Sequence, residues 1–163
     1  MKYFKPNYYF KHYSNIKGNW LIQNGITTIL SDIDSTLAPH NELGDESLLN
    51  WINEMKKYGV EIICISNNTD ERAKVFSEVH SIQAVGRCRK PNTTKIEEFI
   101  KREEIDKKKV AILGDQLFTD IWVGKRLGVK TILVQPIGTH QPIGIKLKRI
   151  IENKWIKNWG MNT

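Results

Sequence analysis

Two cysteines in 163 residues, no long apolar run and a shortage of acidic groups set the first limits on this chain. Cys64 and Cys88 give neither a disulfide framework nor zinc-ligand spacing. That excludes a disulfide-stapled scaffold and a zinc module. Cys64 lies inside VEIICIS and reads as a small core residue. No apolar stretch approaches the ~20 residues of a membrane-spanning helix. The opening MKYFKPNYYFKHYSNIKGNW is aromatic and polar and lacks the apolar centre of a secretory signal. The reading is therefore a cytoplasmic chain. No internal repeat and no low-complexity linker interrupts it. Asp and Glu number 18 against 25 Lys and Arg, a net charge of +7. This excess favours an anionic partner: a phosphorylated substrate, nucleic acid or an anionic membrane. Charge alone does not choose among them.

What is present is a pattern of alternation. The length suits one domain, and the 40% apolar and 26% charged fractions are ordinary for a globular chain. TTILSD, VEIICIS, IQAVG, KVAILGD and KTILVQP read as five strands. Between them GDESLLNWINEMKKYG, NNTDERAKVFSEVH, TTKIEEFIKREE and LFTDIWVGKRLG read as helices. Leu48, Leu49, Ile52 and Met55 share one face of the first helix, and Gly59 stops it. Asn68 with Glu71, and Thr94 with Glu97, resemble capping boxes. Alternating strands and helices predict an α/β fold, a parallel sheet with helices on both faces. Ligands of such sheets bind at the carboxyl ends of the strands.

Those ends carry unusual residues. Asp is a poor strand former and charges are rarely buried unpaired, yet Asp32 and Asp34 close the first strand. Ser66, Asn67 and Asn68 close the second; Arg87, Arg89 and Lys90 follow the third; Asp115 and Asp120 follow the fourth. One acidic pair after a strand reads equally as a helix cap. Four polar groups delivered in order to one rim read as a site.

DIDST at residues 32–36 resembles the DxDx[TV] motif of the haloacid-dehalogenase (HAD) superfamily, with Ser66, Lys90 and the pair Asp115 and Asp120 at its second, third and fourth motifs. ISNN, RKP and GDQLFTDI are similar to the YqeG-type subclass IIIA phosphatases, and Ser35 replaces the commoner Asn. The resemblance implies a three-layer Rossmannoid fold with a five-stranded parallel sheet. It implies one domain over 1–163: an aromatic and basic segment at 1–25, a catalytic core at 26–135 and a basic amphipathic extension at 136–163. Only short connections stand where superfamily caps are inserted, so no large cap is expected.

The implied chemistry is a phosphatase's. Asp32 is the expected nucleophile, forming an aspartyl-phosphate, and Asp34 the acid and base. Ser66 and Lys90 would bind the phosphoryl oxygens, with Asn67, Asn68, Arg87 and Arg89 also substrate-binding. Mg²⁺ is the implied cofactor, held by Asp32, Asp115 and the Asp34 carbonyl, with Asp120 ordering Lys90 or a metal-bound water. YqeG-type proteins are similar to a mitochondrial phosphatidylglycerophosphate phosphatase, which favours a phospholipid substrate. A soluble sugar phosphate or nucleotide is the alternative, and a nucleic-acid- or ribosome-binding module with a vestigial site is disfavoured by the intact motifs. In the extension, Leu147, Ile150, Ile151, Trp155 and Trp159 follow helical spacing, with Lys146, Arg149, Glu152, Asn153 and Lys157 on the remaining surface. That pattern fits an interfacial helix at an anionic membrane as well as a helix docked on the core. His40 and His140 have no metal-like companions and read as loop residues. The sequence leaves the oligomeric state open.

Overall fold

The apolar runs become strands of one parallel sheet, and the polar residues gather at its carboxyl edge. The structure is a computed structural model and describes residues 2–138 and 143–161, without the Leu147 side chain; His140 lies outside the described residues. In chain order the elements are β1 (Tyr8–Phe10), α1 (Gly18–Gln23), β2 (Thr28–Ser31), α2 (Glu46–Lys57), β3 (Glu61–Ile65), α3 (Asp70–His80), β4 (Gln83–Val85), α4 (Thr94–Arg102), β5 (Val110–Gly114), α5 (Trp122–Leu127), β6 (Lys130–Val134) and α6 (Ile143–Asn158). The sheet order is β1-β6-β5-β2-β3-β4, and every pairing is parallel.

The sheet has six strands where the sequence predicts five. The sixth is β1, from the aromatic opening segment. Asn7 sets its register: its side-chain oxygen accepts from the Thr131 amide at 3.0 Å, and its own amide donates to the Thr131 carbonyl at 3.0 Å. Tyr8 then faces Ile132 and Phe10 faces Val134. Edge-on contacts of Trp20 with Tyr8 and Phe10, at 4.8 and 5.0 Å between ring centres, close over this edge. The opening segment also joins the far end of the chain. The Phe4 ring lies 5.4 Å from Phe118, 5.3 Å from Trp122 and 5.6 Å from Trp155.

Strand alternation divides the core into two layers. Ile29 packs on one side with Leu21, Ile52, Met55 and Phe76 from α1, α2 and α3. Leu30 packs on the other with Ile96, Phe99, Ile100, Val123 and Leu127 from α4 and α5. Each such fully buried side chain contributes roughly 1.5–3 kcal/mol. Helix α5 comes so close to the sheet that a Cβ on Gly124 would meet Thr131 Cγ2 at 2.4 Å, so only glycine fits there.

Several local expectations shift by one position. In α2 the buried set is Leu48, Trp51, Ile52 and Met55; Leu49 is exposed. Trp51 takes its place because its indole N–H donates to the Ile16 carbonyl at 2.9 Å, which satisfies the buried ring. Thr69, not Asn68, caps α3, accepting from the Arg72 amide at 3.1 Å. For α4 the cap position is Thr93, and the Thr94 amide bonds to Asn92 Oδ1 at 2.8 Å instead. The helix predicted for LFTDIWVGKRLG opens with a wide π-type turn, Leu117–Ile121, before α5.

The largest difference lies in α6. Ile150 and Ile151, expected on its apolar face, are 69% and 50% exposed, whereas Arg149 and Glu152, expected at the surface, are 9% and 1% exposed. Trp155, Ile156 and Trp159 pack partly buried against Leu117, Ile121 and Leu133. The helix is turned so that an ion pair, rather than the isoleucines, faces the protein. Among the described residues no helix is long and apolar enough to cross a membrane.

Candidate active site

Strand β2 delivers Asp32 to the sheet edge, where its amide still bonds to the Leu113 carbonyl of β5 at 2.9 Å. The chain then turns sharply. The Ile33 carbonyl receives the Thr36, Leu37 and Ala38 amides, and Ser35 adopts φ 67°. Ser rarely adopts this left-handed conformation; Ser35 holds it through a bond from its amide to the Ala38 carbonyl and one from the Ile137 amide to its own carbonyl, both 2.7 Å. The turn buries Ile33, sends Asp34 outward and swings Thr36 back, so that its hydroxyl donates to Asp115 Oδ1 at 2.9 Å.

Lys90 arrives from the loop after β4. Asn67, after β3, clamps that loop from both ends: its side-chain oxygen accepts from the Lys90 amide at 2.6 Å, and its nitrogen donates to the Lys90 carbonyl at 3.0 Å. The Lys90 ammonium sits between Asp32 Oδ1 at 2.8 Å and Asp120 Oδ1 at 2.7 Å. All three side chains are nearly dry. Asp120 reaches this position by lying over Gly114, where a Cβ would come within 2.2 Å of the Asp120 Cβ. Burial pushes Asp32 above the usual carboxylate range, and Lys90 opposes it. Burial alone would lower Lys90, but Asp120 and Asp32 draw it firmly into its charged form. Burial also pushes Asp115 up, to about 6, against the pull of an arginine, Arg149.

Asp34 has different neighbours. Its carboxylate accepts from Asn68 Nδ2 at 3.0 Å, from the Asn41 amide at 2.8 Å and from Arg72 Nη2 at 3.1 Å. Burial would raise it, yet the Asn68 and Asn41 bonds together with Arg72 hold it below the ordinary carboxylate range.

An open pocket of about 350 Å³ is lined by Asp32, Asp34, Ser66, Asn67 and Asn68, with Ser35, His40, Asn41, Gln116 and Ile145 completing its wall. Lys90, Asp115 and Asp120 are buried and are absent from that lining; Lys90 meets the pocket through Asp32. Arg87 and Arg89 are exposed and line a separate cavity with Cys88, Asn92 and Lys95. Arg87 faces Asp70 at 3.6 Å. Buried Cys64 has a thiol raised by burial, as a core residue should.

Carboxylate oxygens of Asp32, Asp115 and Asp120 lie within 4.8 Å of one another. Such a hard oxygen set, only partly neutralised by Lys90 and Arg149, fits Mg²⁺. The Asp34 carboxylate stands outside this group, bonded to Asn68, Asn41 and Arg72.

Four contributors escaped the sequence reading: Thr36, Arg72, Arg149 and Glu152. Thr36 lies inside the quoted motif. Arg72 stands in the first turn of α3, where the sequence alone does not distinguish it from a solvated cation. Both guanidinium nitrogens of Arg149 bond to Asp115, one to its main-chain carbonyl and one to Oδ2. Glu152 accepts from the Leu117 and Phe118 amides at 2.9 and 3.2 Å.

The chain is similar to several known proteins. A HAD-hydrolase-like family model matches residues 87–146. The chain is 30% identical over 154 residues to the probable phosphatase YqeG of Bacillus subtilis, covering 94% of this chain and 90% of that protein. It is 41% identical over 49 residues to the chloroplastic phosphatidylglycerophosphate phosphatase 1 of Chlamydomonas reinhardtii, which spans 29% of this chain and 18% of that protein. Among solved structures, an uncharacterized protein of Listeria monocytogenes superposes with a TM-score of 0.56 at 18% identity, covering 72% of this chain and 85% of that one.

Proposed function

The chain belongs to the YqeG family of HAD-like phosphatases, and from that premise we propose that it hydrolyses phosphomonoesters through an aspartyl-phosphate on Asp32. The carrying observation is Lys90, held between Asp32 and Asp120 beside an open pocket. In the first step an Asp32 oxygen attacks phosphorus, and the bond to the leaving oxygen breaks. Asp34 gives that oxygen its proton. In the second step the Asp34 carboxylate takes a proton from water, whose oxygen attacks the same phosphorus and frees Asp32. Asp34 starts ionised in the substrate-free pocket. An arriving phosphate brings negative charge beside it, favours its protonation and so readies it as the acid.

Lys90, Ser66 and the amides near Asn67 and Asn68 stabilise the phosphoryl oxygens. Asp32, Asp115 and the Asp34 carbonyl would hold Mg²⁺, which when bound reduces the repulsion between nucleophile and phosphate. Asp120 orders Lys90. A purified-protein assay with Mg²⁺ and a chromogenic phosphomonoester tests the activity, with Asp32→Asn as the inactive control. Turnover by that variant near the parent's would sink the covalent route.

For the substrate, an anionic phospholipid such as phosphatidylglycerophosphate is the reading we favour over a soluble sugar phosphate or nucleotide. Three observations support it: the partial likeness to a lipid phosphatase, a pocket open to solvent, and the outer face of α6. That face exposes Ile143, Ile150 and Ile151 beside the exposed Lys146, Lys148, Lys154 and Lys157. Residues 32–45 join β2 to α2 without a further helix or strand, in keeping with a site that lacks a large cap. Each lysine near an anionic surface adds about 1 kcal/mol. On this reading the enzyme works in the cytoplasm, peripheral to the membrane. A screen of phosphatidylglycerophosphate in mixed micelles beside soluble phosphomonoesters decides the substrate. Co-sedimentation with anionic vesicles, falling as salt rises and falling further in Lys154→Glu/Lys157→Glu, tests the surface.

A further inference from the structure

Helix α6 needs no buried charge to dock. Trp155, Ile156 and Trp159 already give it an apolar contact. It nevertheless buries an arginine and a glutamate, which is costly unless both are fully satisfied. Their bonds converge on one place. Arg149 Nη2 donates to Asp115 Oδ2, and Nη1 donates to the Asp115 carbonyl and to Glu152 Oε2, the last at 3.2 Å. Glu152 Oε1 takes the Leu117 and Phe118 amides, fixing the turn that carries Asp115 onward to Asp120. On the other side Thr36 holds Asp115 Oδ1. The carboxylate is thereby gripped at both oxygens and at its own backbone.

The charges are also suggestive. Four carboxylates, Asp32, Asp115, Asp120 and Glu152, face two cations, Lys90 and Arg149. With all four ionised, two negative charges are left over, as many as one divalent ion neutralises. A cation standing in for the metal would need only the carboxylate. The grip on the Asp115 carbonyl, and Glu152's hold on the following turn, serve geometry instead. We propose that Arg149 and Glu152 are positioning residues, which reach back from the C-terminal helix to orient Asp115 as a ligand for a divalent cation. The inference rests on the reading above that Asp115 is such a ligand.

The test is titration of Mg²⁺ into the full chain by calorimetry, with no substrate present. The variants are Asp115→Ala, Arg149→Met, Arg149→Lys and Glu152→Gln, each checked for fold by circular dichroism. Partners that orient metal ligands typically contribute 10–100-fold to affinity. Arg149→Met should weaken Mg²⁺ binding by about that factor. Arg149→Lys keeps the charge but loses the two-pronged grip, and should fall between it and the parent. Glu152→Gln should lose a few-fold. At saturating Mg²⁺ the turnover number of the folded Arg149 and Glu152 variants should largely recover, which a general loss of structure would not allow.

Mg²⁺ binding that is unchanged or tighter in Arg149→Met overturns the proposal, the latter result showing competition for Asp115. If Arg149→Met does not fold, Arg149→Lys and Glu152→Gln decide, and parental affinity in both overturns it. Asp115→Ala binding Mg²⁺ like the parent, or a parent that binds none, would remove the underlying ligand assignment as well. Weak binding by Asp115→Ala with parental binding by the Arg149 variants would remove this inference alone.

Discussion

On the inner side of the pocket Asp32 shares Lys90 with Asp120 in a nearly dry cluster; on the outer side Asp34 shares solvent with Asn41, Asn68 and Arg72. One residue separates the two aspartates, and burial acts on both. On Asp32 it wins over Lys90. On Asp34 it loses to several donors, of which Arg72 is one. A nucleophile benefits from a fixed, dehydrated position beside a cation that phosphate will also meet. A group that must gain and lose a proton in each cycle benefits from water and adjustable partners. The turn through Ile33 and Ser35 makes the two environments available to neighbouring residues.

The comparison can be broken most completely on the inner side. Asp32→Asn should lower turnover by about 10⁴-fold or more while the fold persists, measured by steady-state hydrolysis of a chromogenic phosphomonoester. Lys90→Met should come next. It leaves Asp32 and Asp120 buried without their shared cation, so the loss of rate should be accompanied by roughly 3–5 kcal/mol of lost stability in urea titration. A variant as stable as the parent would show that the inner cluster is wetter than its burial indicates.

Within the inner side, the two aspartates after β5 should differ. Asp115→Ala should weaken Mg²⁺ binding about tenfold more than Asp120→Ala, because Asp120 is engaged with Lys90 and the Gln116 amide. The reverse order in a metal titration would exchange their roles. The smallest effect belongs to the outer side. Arg72 stabilises ionised Asp34, so Arg72→Ala should raise the Asp34 pKa. The second step needs the ionised form, so the acidic limb of the pH–rate profile should move to higher pH. A limb that moves to lower pH, or stays in place, would separate Arg72 from proton transfer.

The inner side was also the more legible of the two in the sequence. Asp32, Ser66 and Asp115 stand out because each closes a strand-like apolar run, and Lys90 and Asp120 because they follow such runs in the same order; the sheet brings strand ends together whatever lies between. Arg72 had no such marker: one arginine near the start of a helix looks like any solvated cation. Strand β1 was hidden because three aromatic residues among lysines lack the β-branched, alternating signature, and its pairing depends on Asn7 and Thr131, far apart in sequence. The facing of α6 was hidden for a stronger reason. Its isoleucines define the expected apolar stripe, and only the carboxylate and free amides waiting on the protein explain why Arg149 and Glu152 turn inward instead. Periodicity records the average preference of a face and is blind to a specific partner.

The contact of Phe4 with Phe118, Trp122 and Trp155 has a consequence for how the molecule is made. A ribosome releases the first of these rings long before the last. At about 5–20 residues per second, Phe4 and β1 wait on the order of ten seconds for β6 and α6 to emerge. Closing so long a loop is entropically demanding and slow. The central strands can therefore assemble while the chain is still growing, whereas the first and last segments should join them together, as a late event. Tryptophan fluorescence during refolding should register that closure as a slower phase than the formation of the central sheet.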